Sequence, residues 1–272
     1  MKKTISLAFA AAAVFWNVFP FLWQWNASLK SPALVSQLPP IFPSPIEWEN
    51  YRSVLGNESF LKVIRNSMVV SLGATAISLM IGSMGAFGIS RLLDKGKEKI
   101  LLSLLVIFMI PPVAVVTPFF KVLVDFGLRD TLFGLVLVYT VFAVPLVVWV
   151  MYQIFESFPG SLYQAARIDG CGHWKIFYRI YLPLGRPGLV SSALLSLIFC
   201  WNEFLFALTF TSTYESRTIP VGISLFSSQF TFPWGEVSAA SSVVTLPLLL
   251  VVLAGQKYLV RGLTGGFRRR TL

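Results

Sequence analysis

Long stretches of this chain contain no charged residue, and short polar segments separate them. Uncharged runs extend from Thr4 to Leu29, Asn66 to Ser90, Ile100 to Phe120, Thr131 to Phe155 and Val237 to Gln256. A sixth, from Pro187 to Tyr214, is interrupted only by Glu203. A helix needs about 20 residues to cross a hydrocarbon core, and each run meets that length. Backbone groups inside lipid must be paired within the segment, which favours helices. The pattern predicts an all-α integral membrane protein, a single domain over 1–272. Its six transmembrane helices fall at about 5–27, 67–90, 100–120, 131–154, 188–211 and 237–258.

Composition agrees. The 272 residues are 56% hydrophobic and 12% charged, about half the charge of a soluble domain. The formal net charge is +10. Fifteen of the 22 Lys and Arg lie in the N-terminus, 91–99, 156–186 and the tail after Gln256. The positive-inside rule then predicts that both termini face the cytoplasm. Such cations contact anionic headgroups. Because they are split over four segments, a nucleic-acid partner is not expected. "MKKTISLAFAAAA" begins as a secretory signal does. The apolar run continues through Phe15–Trp25, so it reads as a retained first helix.

Several residues bear on shape. Pro111-Pro112, Pro145 and Pro247 fall inside spans, where each removes an amide donor. Bent helices leave cavities, although proline is also common in membrane helices. Gly82, Gly85, Ala86 and Gly88 form a small-residue face suited to close helix packing. Asn202 and Glu203 are the strongly polar pair within a span. They suit a translocation path or gate, or a packing hydrogen bond.

Chemistry is sparse. Cys171 and Cys200 lie too far apart in this topology to pair, His173 is the single histidine, and no metal-ligand spacing occurs. A phosphate-binding GxxxxGK[ST] motif is missing, and "DKGKEK" at Asp94–Lys99 lacks its first glycine.

The longest polar interruption on the basic side is 156–187. Ser161 and Gln164 imitate a capping box for a short helix, and Gly170 suits a left-handed cap. A second piece, Trp174–Leu182, places Trp174, Phe177 and Ile180 on one stripe. That stripe is expected to face protein or lipid, with Lys175 and Arg179 toward water. A rigid two-piece lever would pass a push from a bound protein to the helices beside it. An interfacial helix resting on headgroups would look similar.

"QAARIDGCGHWKIFYRIYLPLGRPG", Gln164–Gly188, resembles the EAA loop of the membrane subunits of binding-protein-dependent ABC importers. That loop reads E-A-A-x-x-D-G, then about nine residues, then I-x-L-P. Ala165, Ala166, Asp169, Gly170, Ile180, Leu182 and Pro183 match, while Gln164 stands where Glu is usual. "ENYRSVL" (Glu49–Leu55), "RNS" (Arg65–Ser67), "WNEFLFALTF" (Trp201–Phe210) and "RTIPVGI" (Arg217–Ile223) resemble the carbohydrate branch, of maltose and glycerol-phosphate type. So do "WGEVSAA" (Trp234–Ala240) and "QKYLVRGLTGG" (Gln256–Gly266). The nearest likeness is to the second, six-helix membrane subunit of maltose-type importers.

The resemblance implies a type I importer permease fold. It also implies a second permease subunit, two ATP-binding subunits and an extracytoplasmic solute-binding protein. ATP and Mg would be bound by the partner subunits, with no cofactor and no catalysis in this chain. It places ATPase coupling on Gln164, Ala165, Ala166, Asp169, Gly170, Ile180, Leu182 and Pro183. Contact with the binding protein would fall near Ser227, Ser228, Gln229 and Phe230. The expected location is the cell membrane of a bacterium or archaeon. An ion-coupled carrier using Glu203 is the alternative, and for it an inverted internal repeat is expected.

Overall fold

A computed structural model describes residues 2–31, 41–93, 95–225 and 233–264, with side chains omitted at 2, 3, 5 and 258–264. The described residues form α1 (Lys2–Ser28), α2 (Glu49–Gly56), α3 (Glu58–Arg91), α4 (Lys97–Met109), α5 (Pro112–Asp125) and α6 (Leu132–Glu156). There follow α7 (Gly160–Ile168), α8 (His173–Leu184), α9 (Arg186–Trp201), α10 (Leu205–Phe210), α11 (Ile219–Ser224) and α12 (Trp234–Thr264). Four helices among these are long and apolar enough to cross a membrane. Two bent pairs, α4 with α5 and α8 with α9, bring the number to six if each pair is one span.

The longest helix, α3, starts where Asn57 accepts the Phe60 amide at 3.2 Å. Glu58 and Arg91 sit at the ends that suit their charges. It packs along α6, whose first turn is capped by Thr131 accepting the Gly134 amide at 3.1 Å. The small-residue face predicted on α3 serves this pairing. A Cβ at Gly82 would lie 2.7 Å from Val147, and Ala86 is fully buried. Gly88 faces open space and takes no part.

Two expected spans differ from the prediction. The span at 100–120 is broken, and its halves meet at 88°. Ile110, held extended before proline at ψ 125°, and Pro111 form the corner. Proline disfavours the α conformation at the residue before it and offers no amide of its own. The span at 188–211 is also two helices, α9 and α10, parted at Asn202–Phe204. Pro145 and Pro247, by contrast, lie inside unbroken helices.

Helix α1 packs on α12 but is little covered by the chain. None of its apolar window is buried within the chain, and Trp16 is 81% exposed. Its end is held by Asn50, whose amide donates to the Ser28 and Lys30 carbonyls at 2.9 Å each. Gly235 at the start of α12 lies against that same asparagine, where a Cβ would come within 2.6 Å. Ser53 donates to Glu236 at 3.0 Å.

Candidate functional site

The loop after α6 is a rigid bracket. Helix α7 begins after Pro159, not at a Ser161 cap, and no side chain caps it. The capping-box expectation fails because the helix starts two residues earlier, leaving Ser161 inside the first turn. Its far end closes as foreseen. Gly170 has φ +77°, its amide donates to the Arg167 carbonyl at 3.1 Å, and the Cys171 amide donates to the Ala166 carbonyl at 3.0 Å. This pair of reversed bonds satisfies carbonyls that the last turn leaves open. Tyr163 and His173 then bridge α7 to α8 at 2.7 Å.

The second piece winds differently from expectation. Phe177–Tyr181 is a π-helical turn. The wider winding buries Ile176, Phe177 and Tyr181, with Ile180 packed beside them, and leaves Trp174 61% exposed. Of the stripe expected to face protein or lipid, Phe177 and Ile180 pack on the protein, while Trp174 is not covered by this chain. Lys175 and Arg179 are exposed as expected.

The buried face of the bracket meets the ends of α3 and α6. The Phe87 ring lies 4.9 Å from Tyr181, 5.3 Å from Phe177 and 6.3 Å from Phe155 and Tyr163. Such pairs add about 0.5–1.5 kcal/mol each beyond burial. Arg91 donates to the Phe155 and Phe158 carbonyls and lies 5.4 Å over the Tyr181 ring. Lys97, Ser90 and Glu156 complete the junction, with Ser90 donating to Glu156 at 2.9 Å and Lys97 pairing with it at 3.6 Å. Phe87 and Arg91 were not picked out in the sequence, where they look like an ordinary apolar residue and an ordinary topology-setting cation.

The outward face is bare. Gln164, Ala165, Asp169, Gly170 and Pro183 are exposed, Ala166 is buried, and Ile180 and Leu182 are half-buried. Ile168 is 86% exposed beside them. Gly160, Gly170 and Gly172 have no neighbour that a Cβ would meet.

Asn202 and Glu203 lie at the break in the fifth span. Glu203 accepts the Phe206 and Ala207 amides at 3.0 and 3.2 Å and so closes the start of α10. Asn202 is exposed and donates to the Ile198 carbonyl at 2.8 Å. Ser227, Ser228, Gln229 and Phe230 lie outside the described residues.

At the opposite end, a hydrogen-bonded frame joins three segments. Asp130, at φ +58°, accepts the Ser212 amide at 2.7 Å, the Thr213 amide at 3.1 Å and the Ser216 hydroxyl. Partial burial alone would raise its pKa, but these donors outweigh it and hold the carboxyl below its ordinary range. Asn66 donates to the Tyr214 and Arg217 carbonyls at 3.0 and 3.1 Å, and Ser67 accepts the Ile219 amide at 2.7 Å. Thus "RNS" and "RTIPVGI", more than 150 positions apart, meet in space.

Comparison with known proteins accords with this architecture. Residues 78–265 match the family described as binding-protein-dependent transport system inner membrane component. The chain is 37% identical over 251 residues to the trehalose transport system permease protein SugB of Mycobacterium tuberculosis, covering 92% of this chain and 91% of that protein. It is 35% identical over 270 residues to the trehalose/maltose transport system permease protein MalG of Thermococcus litoralis, covering 98% and 96%. In fold it is similar to a chain of a bacterial ABC transporter that imports the acidic polysaccharide alginate, with a TM-score of 0.79 at 23% identity, covering 94% and 95%. A multi-pass helical chain with an EAA-type bracket and these relatives belongs to the family of binding-protein-dependent transport system inner membrane components, the permeases of ABC sugar importers.

Proposed function

We propose that this chain forms one side of a sugar-conducting pore with a second permease subunit and is driven by two ATP-binding subunits gripping the α7–α8 bracket. A solute-binding protein delivers the sugar from outside. Both termini and the bracket face the cytoplasm, in keeping with the placement of the basic residues. The chain performs no catalysis of its own; ATP and Mg belong to the partners. The host membrane is that of a bacterium or archaeon. The relatives' substrates, trehalose and maltose among them, support a sugar as cargo.

The observation that carries this reading is the two-sided bracket. Its outer face presents Ile168 and Gly170 to solvent, while its inner face is fastened to both α3 and α6. A force applied at Gly170 therefore reaches two membrane helices as one body. Differential binding of nucleotide by the partners then biases the two states of the permease. Asn202 is placed at a break where an exposed amide suits a sugar hydroxyl. The Glu203 carboxylate is engaged by backbone amides, which supports partner-driven transport over an ion-coupled carrier.

Gly172→Trp tests the grip. Gly172 has ordinary φ of −69° and open space beside it, so the bulky side chain fits without strain in the chain itself. Uptake and co-purification of the ATPase subunits are expected to fall more than tenfold, with the membrane subunits still inserted. Full uptake with normal ATPase association would overturn the coupling role.

A further inference from the structure

The second piece of the bracket carries a pattern that an ATPase grip at Gly170 leaves unused. Between Asp169 and Glu203 the chain has no acidic residue and three cations, Lys175, Arg179 and Arg186. All three are exposed, and none takes part in an ion pair among the described residues. Trp174 and Tyr178 stand exposed among them, their rings stacked at 6.2 Å with 23° between the planes. Exposed aromatics with a polar tip mark the level at which a membrane protein meets lipid headgroups.

An apolar cleft adjoins this cluster. Its volume is about 200 Å³, with Met80, Ser83 and Met84 of α3 on one side and Tyr178, Leu182 and Leu189 on the other. In the chain Tyr178 sits between Lys175 and Arg179, and Arg186 sits between Leu182 and Leu189. Cations and cleft therefore share one stretch of chain. Met84 and Met80 precede Arg91 by seven and eleven residues, about 10 and 16 Å along α3. The hydrocarbon of one leaflet is about 15 Å deep, so the cleft lies at the depth of acyl chains. The wall formed by α9 is firmly seated. Ser78 and Ser196 share a hydrogen bond at 3.1 Å, and a Cβ at Gly188 would lie 2.6 Å from Ile154 of α6.

Size and charge select the occupant. A cavity of about 150 Å³ holds a benzene molecule, so this cleft admits part of a hydrocarbon chain. A helix, about 10–12 Å across, is too wide for it. A soluble protein that reached the cations would have no access to Met80 and Met84 on the membrane-crossing helix. An anionic phospholipid matches both halves, since guanidinium groups bind phosphate and the cleft takes a chain. We propose that the cleft between α3 and α8 binds one anionic phospholipid from the leaflet on the bracket side. Its phosphate sits on Arg179 and Arg186 with Lys175 nearby, and one acyl chain lies between Met80 and Leu182. Bound there, the lipid touches a membrane helix and the bracket together.

The whole assembly tests this after reconstitution with equimolar phosphatidylglycerol and phosphatidylcholine and re-extraction in detergent. Mass spectrometry then counts each lipid retained, and phosphatidylglycerol is expected to be held in preference. Removing one cation near anionic headgroups weakens the attraction about fivefold. Arg179→Gln with Arg186→Gln should therefore cut the preference more than about tenfold, while Arg179→Lys with Arg186→Lys keeps much of it. Met80→Trp fills the cleft from an exposed position on α3 and should lower the retained phosphatidylglycerol with every charge intact. The ATPase subunits should co-purify normally with all three variants. Loss of those subunits from the glutamine pair, with lipid retention unchanged, would assign the cations to a protein partner and overturn the proposal. An unchanged preference in the glutamine pair, or retention untouched by Met80→Trp, would overturn it as well. The lipid count requires no transport, so it is decided separately from the outcome of Gly172→Trp.

Discussion

The two ends of the bundle are fixed by opposite means. At the bracket end, aromatic rings around Phe87 hold α7 and α8 to α3 and α6. At the other end, Asp130, Asn66 and Ser67 hold the 211–219 segment through backbone amides and carbonyls. Ring packing is short-ranged and favours tilted or edge-to-face pairs, a broader preference than that of a hydrogen bond. Hydrogen bonds to backbone are directional and fail when misaligned. The bracket end thus rests chiefly on ring packing, with Arg91 adding bonds to the Phe155 and Phe158 carbonyls, and the frame end on hydrogen bonds.

Breaking each end separates the two designs. The largest effect is expected for Phe87→Ala. It empties the centre of the ring cluster and should cost about 3–5 kcal/mol, with uptake lost and the loop around Gly170 opened to proteolysis. A protease-resistant loop in that variant would show the cluster is not what fixes the bracket. Asp130→Ala comes next, at about 1–3 kcal/mol, since the buried Ser216 hydroxyl and the exposed Ser212 and Thr213 amides lose their acceptor and the left-handed φ is no longer favoured. Asp130→Asn should lose about half as much, and thermal melting of the assembly measures both.

The same carboxylate predicts a pH dependence. Its folded pKa lies below that of the unfolded chain, about 3.9. Its stabilisation is therefore complete above that value and disappears as pH falls through the lower folded pKa. The melting temperature should lose this contribution only below about pH 4, and Asp130→Asn should flatten that part of the curve. The smallest effect belongs to Gly170. Alanine there meets no neighbour but must adopt φ +77°, at about 1–2 kcal/mol, whereas asparagine, which tolerates that region, should restore most of the loss. Equal behaviour of the two would remove the left-handed turn from the explanation.

Much of this was readable in the chain. Hydrophobic run length and charge spacing located the helices, because a bilayer imposes length and internal pairing on any span. The glycine after "QAARID" announced its own turn, because only a residue without a Cβ adopts that φ freely. Other features were not readable. The corner at Ile110-Pro111 carries two consecutive prolines, whereas Pro145 and Pro247 stand singly inside continuous helices, and the run of apolar residues alone did not separate the two cases. Glu203 suited either a translocation path or a packing hydrogen bond, and its bonds to the first amides of α10 are visible only once the break beside it is known. Phe87, Arg91, Asp130 and Asn66 carry no local signature, since their partners lie far along the chain.

Sequence by itself thus determined that the chain lives in lipid, where its helices run and that it offers an EAA-type turn, all properties of segments shorter than a helix or of their order. Tertiary structure alone decided which spans are broken, which rings fasten the bracket and which hydroxyls of α3 and α9 stand opposite one another. Those depend on the register between helices, and register is set by side chains meeting across the bundle.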